Sequence, residues 1–487
     1  MPFVIGIDSS TQSTKAELRD ADTGALISTG RASHPSTQPP ISEQEPTAWW
    51  DALVDAVGQL GDARADVVAI SVAGQQHGLV LLDDAGESIR PAKLWNDTTS
   101  APQAERLLEE LGADWWSDWA GIVPVASFTV SKLKWVADHE PQNLERVAKV
   151  MLPHDYLTWR LCGEHVTDRG DASGSGWYDA TTNSTLLRPL ELATGGQDWT
   201  DRVPKVLGPN EIAGNLKVDV ATQLGLPHSV VVAPGTGDNM GGALGLGLAE
   251  GDVVMSLGTS GTVYARTNSR AVDVSGAVAG FCDATGGFLP LVCTLNATKV
   301  TDTVATWLGT DAPGLSELAV EAGSGPIDVT LVPYFDGERT PNRPDSRGIM
   351  VGLSNATSRA ELARAAHDGV VCGLLDGVSA LEDSGATVDG RLILVGGGAR
   401  SAAYRQRLAD ISERIVHIPE NEESVAVGAA LQAAVVHGGA GDFDDRAIDW
   451  DVRKASTVYP TEGVDGAAAR RQYRAASSFD DGLCRPV

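Results

Sequence analysis

One acidic residue, Asp238, stands among four glycines and a proline in the stretch PGTGDNMGG, residues 234–242. Glycines grouped in this way indicate a backbone that turns sharply or passes close to another group. That group could be a neighbouring strand or a ligand, and a ligand would place the carboxylate at a binding site. The stretch is also typical of a tight strand-to-helix turn with a solvent-facing acid, so the rest of the chain must decide.

Three turns rich in glycine, serine and threonine could hold phosphate: DSSTQST at residues 8–14, GTSGT at 258–262 and GGGARS at 396–401. The first two lie between predicted strands, where concave arrays of backbone N–H groups bind anions. The third offers unobstructed backbone at the start of a helix. The chain has no GxxxxGKS/T motif and no strict GxGxxG after an early strand, which argues against a P-loop and a dinucleotide site. Together the three turns predict a nucleotide held from both sides.

Asp8 ends the first predicted strand, beside the first of these turns. A carboxylate repels a phosphate unless a divalent cation lies between them, and Mg²⁺ is commonly held by one or two carboxylates plus phosphates. Asp8 is therefore a candidate magnesium ligand, directly or through water. The alternative is that Asp8 only caps its turn through an Asx hydrogen bond.

Two further turns carry side chains that suit a polyhydroxylated ligand. They are SVAGQQHG at residues 71–78, with Gln75, Gln76 and His77, and LWNDTTS at residues 94–100, with Trp95, Asn96 and Asp97. A lone histidine is more often structural than functional. Its place in a polar turn bounded by glycine favours function here.

The elements that position these turns indicate an α/β protein. FVIGID, TKAELRD and GALISTG read as an antiparallel start, followed by a helix in EPTAWWDALVDAVGQL and a buried strand in VVAISVAG. DVVMSLGTSGTVYART, residues 252–267, repeats the strand–turn–strand start. If this similarity is not accidental, two related lobes meet near residues 244–252, and the cleft between them is the expected ligand site.

The second half contains two helices rich in small residues. In RAELARAAHDGVVCGLLDGVSAL, Gly369, Gly373 and Gly377 form a stripe at a spacing of four, which predicts close packing against another element. SVAVGAALQAAVVH, residues 424–437, is a second helix of this kind. The region from about residue 440 reads as irregular and charged.

Composition limits the class of protein. The 487 residues are 42% hydrophobic and 21% charged, which fits a globular protein of two or three domains. The formal net charge of -28 argues against nonspecific binding to nucleic acid or an anionic membrane. The five cysteines, Cys162, Cys282, Cys293, Cys372 and Cys484, form no CxxC pair and predict a reducing compartment. Without a signal peptide or an apolar stretch of about 18 residues, the expected location is the cytoplasm.

Several motifs of the chain resemble those of the FGGY carbohydrate kinases and occur in the same order. They are IGIDSSTQSTKA, AGQQHG, LWNDTT, DASGSGWYD, GTGDNMGGALG, SLGTSG, PYFDGERTPN and VGGGARS. One family signature is similar to SFTVSKLKWVADH, Ser127 to His139, and a second is similar to residues 348–368 except near His367, where an apolar residue is usual. The resemblance covers nearly the whole chain.

This resemblance implies two ribonuclease-H-like lobes of the actin and hexokinase type, with a cleft between them. Residues 1–248 would form the sugar-binding lobe and residues 249–487 the ATP-binding lobe. Asp238 would be the catalytic base, and Asp8 would act at the phosphate and Mg²⁺ end. The sugar contacts implied are Gln76, His77, Trp95, Asn96, Asp97 and Asn239. The ATP contacts implied are Thr11, Ser13, Lys15, Gly258, Thr259, Ser260, Gly397 and Gly398.

Within the family, AGQQHG, LWNDTT and DASGSG favour the branch that phosphorylates the ketose D-xylulose. Gln76 departs from the methionine expected at its position, so a kinase for another ketose, a pentitol or gluconate is the alternative. A filament former or chaperone of the same fold has no use for a sugar pocket, and a sugar sensor would not need Asp238. The resemblance also implies a homodimer, although no sequence feature shows the contact surface.

Overall fold

The computed structural model describes residues 2–439 and 442–479. The chain forms two compact units. Unit 1 comprises Met1–Leu248, Val272–Leu289 and Glu423–Arg453, and unit 2 comprises Ala249–Ala271, Pro290–Glu422 and Lys454–Val487. The first change of unit coincides with the predicted division at residue 248. Two later segments of the predicted second lobe, however, pack in unit 1.

The strands are β1 (Phe3–Ser9), β2 (Ser13–Asp20), β3 (Leu26–Ser33), β4 (Glu43–Gln44), β5 (Val67–Gly74), β6 (Val80–Leu82), β7 (Ala92–Lys93), β8 (Lys149–Met151), β9 (Val166–Asp168), β10 (Tyr178–Asp179), β11 (Ser184–Thr185), β12 (Lys205–Leu207), β13 (Gly214–Asn215), β14 (Val231–Val232), β15 (Thr236–Gly237), β16 (Val253–Leu257), β17 (Gly261–Ala265), β18 (Val278–Ala279), β19 (Leu291–Thr294), β20 (Thr330–Val332), β21 (Ile349–Val351), β22 (Leu392–Val395), β23 (Val416–Pro419) and β24 (Ala455–Val458).

The helices are α1 (Pro46–Gly58), α2 (Ala101–Leu111), α3 (Ala113–Trp115), α4 (Thr129–His139), α5 (Pro141–Leu144), α6 (Pro153–Cys162), α7 (Arg169–Ala172), α8 (Leu187–Thr194), α9 (Val218–Leu224), α10 (Asp238–Gly245), α11 (Thr298–Trp307), α12 (Ala312–Glu321), α13 (Arg359–Asp383), α14 (Ala402–Ser412), α15 (Ser424–Gly438), α16 (Phe443–Asp449) and α17 (Gly466–Ser477).

Unit 1 is built on a sheet with strand order β13-β14-β5-β1-β2-β3, and β15 also pairs with β5. β1, β2 and β3 form the predicted antiparallel start, and β5 runs parallel to β1. Apolar residues of β1, β2 and β5 are buried with the tryptophans of α1, Trp49 and Trp50, in one core, whereas Leu26 and Ile27 of β3 are exposed. Burial on both faces explains why β5 reads as a continuous apolar run.

Unit 2 repeats this arrangement in the order β19-β17-β16-β22-β23-β24. β16 and β17 are antiparallel, β22 runs parallel to β16, and β24 closes the edge antiparallel to β23. Its first hairpin turns through residues 258–260, as the first hairpin of unit 1 turns through residues 10–12. The two units therefore confirm the predicted internal repeat. Each also has the α/β architecture expected of a ribonuclease-H-like lobe.

The helix α15 belongs to unit 1 because its small residues allow very close packing there. A Cβ at Gly6 of β1 would lie 2.0 Å from the Ala426 carbonyl oxygen, and a Cβ at Gly428 would lie 1.8 Å from that of Gly241 in α10. A Cβ at Gly245 would likewise lie 1.8 Å from the Ser424 carbonyl oxygen. No side chain fits at these three positions, so the segment after residue 423 returns to the first unit.

The glycine stripe of α13 packs less uniformly than predicted. A Cβ at Gly369 would lie 2.2 Å from the Leu331 carbonyl oxygen, whereas one at Gly373 would meet its nearest neighbour at 3.6 Å, an ordinary contact distance. Close packing thus excludes a side chain at position 369 only. A Cβ at Gly377 would lie 3.1 Å from Val263 Cγ2, which is an intermediate distance. His367 on the same helix is buried, and its Nδ1 lies 2.8 Å from the Ala363 carbonyl oxygen.

The interpretation of the region after residue 440 as irregular is wrong for much of it. α16, β24 and α17 lie there, and α17 buries Tyr473 and Ala476. α16 and β24 are short, with seven and four residues, and the apolar residues of the twelve-residue α17 are alanines and one tyrosine, which give little apolar signal. Cys484 lies outside the described residues.

In the described ranges, no single helix is long and apolar enough to cross a membrane. The bent pair α15 and α16 meets that test jointly, by length and composition alone.

Candidate active site

The first predicted phosphate turn connects β1 and β2 of unit 1. Asp8 faces Lys15 across this hairpin, and Lys15 Nζ lies 3.6 Å from Asp8 Oδ2. Lys15 also forms an ion pair with Glu423, which directly precedes α15. Burial raises the pKa of Asp8 to about 6, although the Lys15 charge opposes the shift.

Asp8 does not close its own turn. The Ser10 amide donates to the Ser13 carbonyl oxygen at 3.1 Å, which makes the turn without the carboxylate. Asp8 Oδ1 is buried and accepts no hydrogen bond from any described residue. A buried carboxylate oxygen without a donor fits a cation site better than an Asx cap.

The carboxylate of Asp238 lies at the first residue of α10, directly after β15. β15 pairs with the end of β5, so Asp238 comes close to the turn that follows β5. Burial raises the pKa of Asp238 to about 7, and the charges of Asp8 and Asp171 add to the shift. A carboxyl that titrates near neutral pH is suited to accept a proton.

The glycines around Asp238 have neighbours within unit 1. A Cβ at Gly237 would lie 2.7 Å from Gln76 Cγ, and one at Gly235 would lie 2.6 Å from the Val72 carbonyl oxygen. A Cβ at Gly241 would lie 2.9 Å from that of Ala73. The glycines of the PGTGDNMGG stretch are therefore required because side chains at these positions would collide with β5 and the turn that follows it.

Gln76 and Asn239 extend the site from Asp238. Asn239 Nδ2 donates to Gln76 Oε1 at 2.8 Å, and the Asn239 backbone amide donates to Asp238 Oδ1 at 2.8 Å. Gln76 Nε2 is buried, and no described residue accepts its hydrogen bond. The arrangement leaves an amide donor available beside a carboxylate, as a sugar hydroxyl requires.

His77 is held by its backbone as well as by its ring. Its φ of 64° lies in the left-handed region, which a histidine adopts rarely. Its carbonyl oxygen accepts hydrogen bonds from Lys132 Nζ at 2.8 Å and from Thr129 Oγ1 at 3.2 Å. Its ring centroid lies 5.1 Å from that of Phe128 and 5.3 Å from that of Phe281.

Trp95 and Thr11 join the two predicted kinds of turn. Trp95 Nε1 donates to Thr11 Oγ1 at 2.9 Å, and Thr11 Oγ1 donates to Gln75 Oε1 at 3.1 Å. Asn96 is half-buried, and its Oδ1 accepts nothing from the described part of the chain. The sequence-predicted phosphate and sugar turns of unit 1 therefore lie side by side.

Asp97 differs from the other predicted sugar contacts. It is fully buried and accepts hydrogen bonds from the amides of Ser42 and Thr99, at 2.9 and 3.0 Å, and from Lys93 Nζ at 3.3 Å. Burial opposes ionisation, but these donors lower the pKa of Asp97. The carboxylate is engaged by the protein, which favours a structural role for Asp97 over contact with a ligand.

The other two phosphate turns meet within unit 2. The carbonyl oxygen of Gly258 accepts from the Thr298 amide at 3.0 Å and from Thr298 Oγ1 at 2.9 Å. Gly398 lies against the same threonine, because its Cβ would be 3.0 Å from Thr298 Cγ2. Thr259 and Ser260 are exposed, and a Cβ at Gly397 would meet nothing within 4 Å. The backbone here is open to a ligand.

Lys132 is a residue whose role sequence reasoning missed. It is fully buried in α4, and its ammonium group also donates to the Ser127 carbonyl oxygen. Burial lowers the pKa of Lys132 to about 7. The available signal was a lysine among apolar residues in SFTVSKLKW, but its partner, the His77 carbonyl, is 55 residues away.

Family models match most of the chain. The model described as "FGGY family of carbohydrate kinases, N-terminal domain" matches residues 3–245, and the corresponding C-terminal domain matches residues 253–437. Both contain the turns described above. The chain belongs to the FGGY family of carbohydrate kinases.

Individual relatives agree with this family. The chain is 49% identical over 439 residues to a protein named "Xylulose kinase" from Streptomyces coelicolor, covering 89% of this chain and 88% of that protein. A solved xylulose kinase from Bifidobacterium adolescentis has 38% identity and a TM-score of 0.86, covering 98% of this chain and 99% of that one. A gluconate kinase from Lactobacillus acidophilus shares the fold, with a TM-score of 0.90 at 21% identity over 99% of this chain and 98% of that one.

Proposed function

We propose that this protein transfers the γ-phosphoryl group of ATP to D-xylulose and forms D-xylulose 5-phosphate. The observation that carries the choice of sugar is the 49% identity over 89% of the chain to the Streptomyces coelicolor protein. Fold alone would not support it, because the gluconate kinase has the same fold.

Asp238 is the proposed general base. The accepting hydroxyl must lose its proton as its oxygen attacks the γ-phosphorus, and a carboxylate within about 2.6–3.2 Å can take that proton. The oxygen–phosphorus bond to the sugar then forms while the bond to ADP breaks, and the proton remains on Asp238. The raised pKa of Asp238, about 7, matches this task at neutral pH.

The sugar contacts proposed are Gln76, His77, Trp95, Asn96 and Asn239. Two of them, Gln76 and Asn96, carry buried polar atoms that lack a hydrogen-bond partner in the described residues. Such atoms cost free energy unless a ligand or water satisfies them. A ketose with several hydroxyl groups would satisfy them and would be oriented by the His77 ring.

The nucleotide contacts proposed are Thr11, Ser13 and Lys15 in unit 1 and Gly258, Thr259, Ser260, Gly397 and Gly398 in unit 2. The exposed hydroxyls of Thr259 and Ser260 and the open backbone at Gly397 are suited to phosphate oxygens, whereas Ser13 is buried. Asp8 would hold Mg²⁺ directly or through water, and the metal would neutralise charge on the transferred phosphoryl group. In the described residues no cluster of three or more His, Cys, Asp or Glu forms a metal cage, so the remaining ligands would be phosphate oxygens and water.

The test is an ADP-release assay with ATP and Mg²⁺ across D-xylulose, D-ribulose, L-ribulose, xylitol, D-gluconate and glycerol. We expect the highest kcat/KM with D-xylulose. A preference for another sugar would overturn the choice of D-xylulose and retain the kinase. Absence of ADP release with every sugar, under conditions where ATP binds, would overturn the proposed activity.

A kinase for another ketose, a pentitol or gluconate is the second candidate. The observation that favours it is Gln76, whose polar side chain adds a donor where the family more often has methionine. Comparison of wild type with Gln76→Met in the same assay addresses it. If Gln76 selects a different polyol, the variant loses activity on that polyol and gains activity on D-xylulose.

A further inference from the structure

A buried histidine with three carboxylate neighbours lies next to residues 235 and 236, just before Asp238, and has no part in the mechanism above. His154, in α6, is completely buried. Its Nδ1 lies 2.8 Å from Asp171 Oδ2, and its Nε2 lies 3.1 Å from Asp155 Oδ1 and 3.7 Å from Asp168 Oδ1. All three carboxylates are buried as well. Burial raises the pKa of Asp155 to about 7 and also raises that of Asp168, so these buried carboxylates require a counter-ion to stay ionised.

The histidine ring provides that charge. Burial by itself lowers the pKa of His154, but the carboxylates of Asp155, Asp171 and Asp168 overcome this effect and raise it to about 9. They reach the ring from α6, from α7 and from the end of β9. The uncharged backbone of Gly235 approaches the ring, and that of Gly74 approaches the Cβ and backbone of His154.

The carboxylates connect His154 to the segment that carries Asp238. Asp168 Oδ2 accepts a hydrogen bond from Thr236 Oγ1 at 2.8 Å, two residues before Asp238. The backbone at Gly235 lies so close to the ring that a Cβ there would be 2.7 Å from His154 Cδ2. Asp171 is near enough to Asp238 for its charge to act on that carboxyl.

We propose that His154 is a positioning residue whose imidazolium holds Asp168 and Asp171 together, so that Asp168, through its hydrogen bond from Thr236, fixes residues 235–238 and thereby the Asp238 carboxylate. The inference rests on the proposed function only in making Asp238 the base. Without the cation the carboxylates repel one another, and the segment loses its anchor at Thr236, while the hydrogen bonds between Gly235 and Gln432 remain. A base displaced by about 1 Å can cost about 100-fold in rate.

The test compares His154→Gln, which removes the charge, with His154→Lys, which keeps it. His165→Gln is the matched control, because His165 is a partly buried histidine of the same unit whose Nε2 lies 3.0 Å from a backbone carbonyl oxygen, that of Val150, and not from a carboxylate. Two quantities are measured: kcat and KM with D-xylulose and ATP, and amide hydrogen exchange of the peptide covering residues 234–240.

For His154→Gln we expect kcat to fall by roughly 10- to 100-fold with KM for ATP within about threefold, and exchange at 234–240 to accelerate. His154→Lys should recover at least about tenfold in kcat and restore slow exchange. Wild-type kcat and exchange in His154→Gln would overturn the proposal, and so would equal losses in the glutamine and lysine variants, because packing and not charge would then be responsible.

If His154→Gln does not fold, His154→Lys decides: slow exchange at 234–240 supports the proposal, and fast exchange overturns it. If wild type phosphorylates no sugar, the proposed function fails. The exchange measurement still tests the positioning role, because it does not depend on activity.

Discussion

The role of Asp238 makes a prediction that depends on both its position and its pKa. Replacement by asparagine keeps the shape of the side chain, and its amide oxygen can still accept the hydrogen bond that the Asn239 amide donates at 2.8 Å. The ability to accept the sugar proton is lost. We expect kcat to fall about 10²–10⁴-fold, while binding of D-xylulose changes by less than about threefold.

The pH dependence follows from the raised pKa. With a pKa of about 7, the carboxyl is protonated, and inactive as a base, below neutral pH. The deprotonated fraction is about one eleventh at pH 6, one half at pH 7 and ten elevenths at pH 8. The kcat/KM of wild type should therefore rise about fivefold from pH 6 to 7 and about twofold from pH 7 to 8.

The assay is ADP release between pH 5.5 and 8.5 at saturating ATP, with calorimetric titration of the sugar into each variant. Asp62→Asn is the control, because Asp62 is exposed in the same unit and changes the net charge equally. The asparagine variant at position 238 should show a residual rate without the acidic limb. A rate within tenfold of wild type, or an unchanged acidic limb, would refute the assignment of Asp238 as the base.

Two further predictions concern the elements that carry the site. Lys132→Met removes a hydrogen-bond donor from the buried His77 carbonyl oxygen, a loss of about 1–3 kcal/mol, so KM for the ketose should rise roughly 10- to 100-fold while KM for ATP stays the same. Lys134→Met is the control, and an equal effect there would contradict this role for Lys132. Gly428→Ala places a Cβ 1.8 Å from a carbonyl oxygen of α10, so urea denaturation should show a stability loss of at least about 1–3 kcal/mol. Gly438→Ala, at an open position of the same helix, should leave stability equal or slightly higher, and similar losses in both variants would show that the close approach is unimportant.

The turns near the site were predictable because their signals are local. DSSTQST and GTSGT each follow an apolar β-branched run, so the strand, the turn and the next strand can be inferred from adjacent residues. The internal repeat is recognisable in the sequence for the same reason, since each copy is a short contiguous segment. The motifs also placed Asp8, Gln76 and Asp238 at strand ends, where the structure has them.

Other features depend on residues far apart in the chain. The Lys132 ammonium and the His77 carbonyl belong to different motifs, and the residues around one give no indication that it contacts the other. Asp97 has the residue type of a ligand contact but is engaged by Ser42, Thr99 and Lys93. The distinction between a functional and a structural carboxylate is made by its neighbours, which sequence patterns do not specify.

By itself, the sequence determined the α/β class, the two related halves and the turns that carry the candidate site, because periodicity and turn residues act over a few positions. The family came from the resemblance of its motifs to those of known kinases. Only the tertiary structure decided that α15 returns to unit 1, that three buried carboxylates lie within 3.7 Å of His154, and that burial raises the pKa of Asp238 to about 7. Those properties arise from desolvation and from close approach of distant segments, and both exist only once the chain is folded.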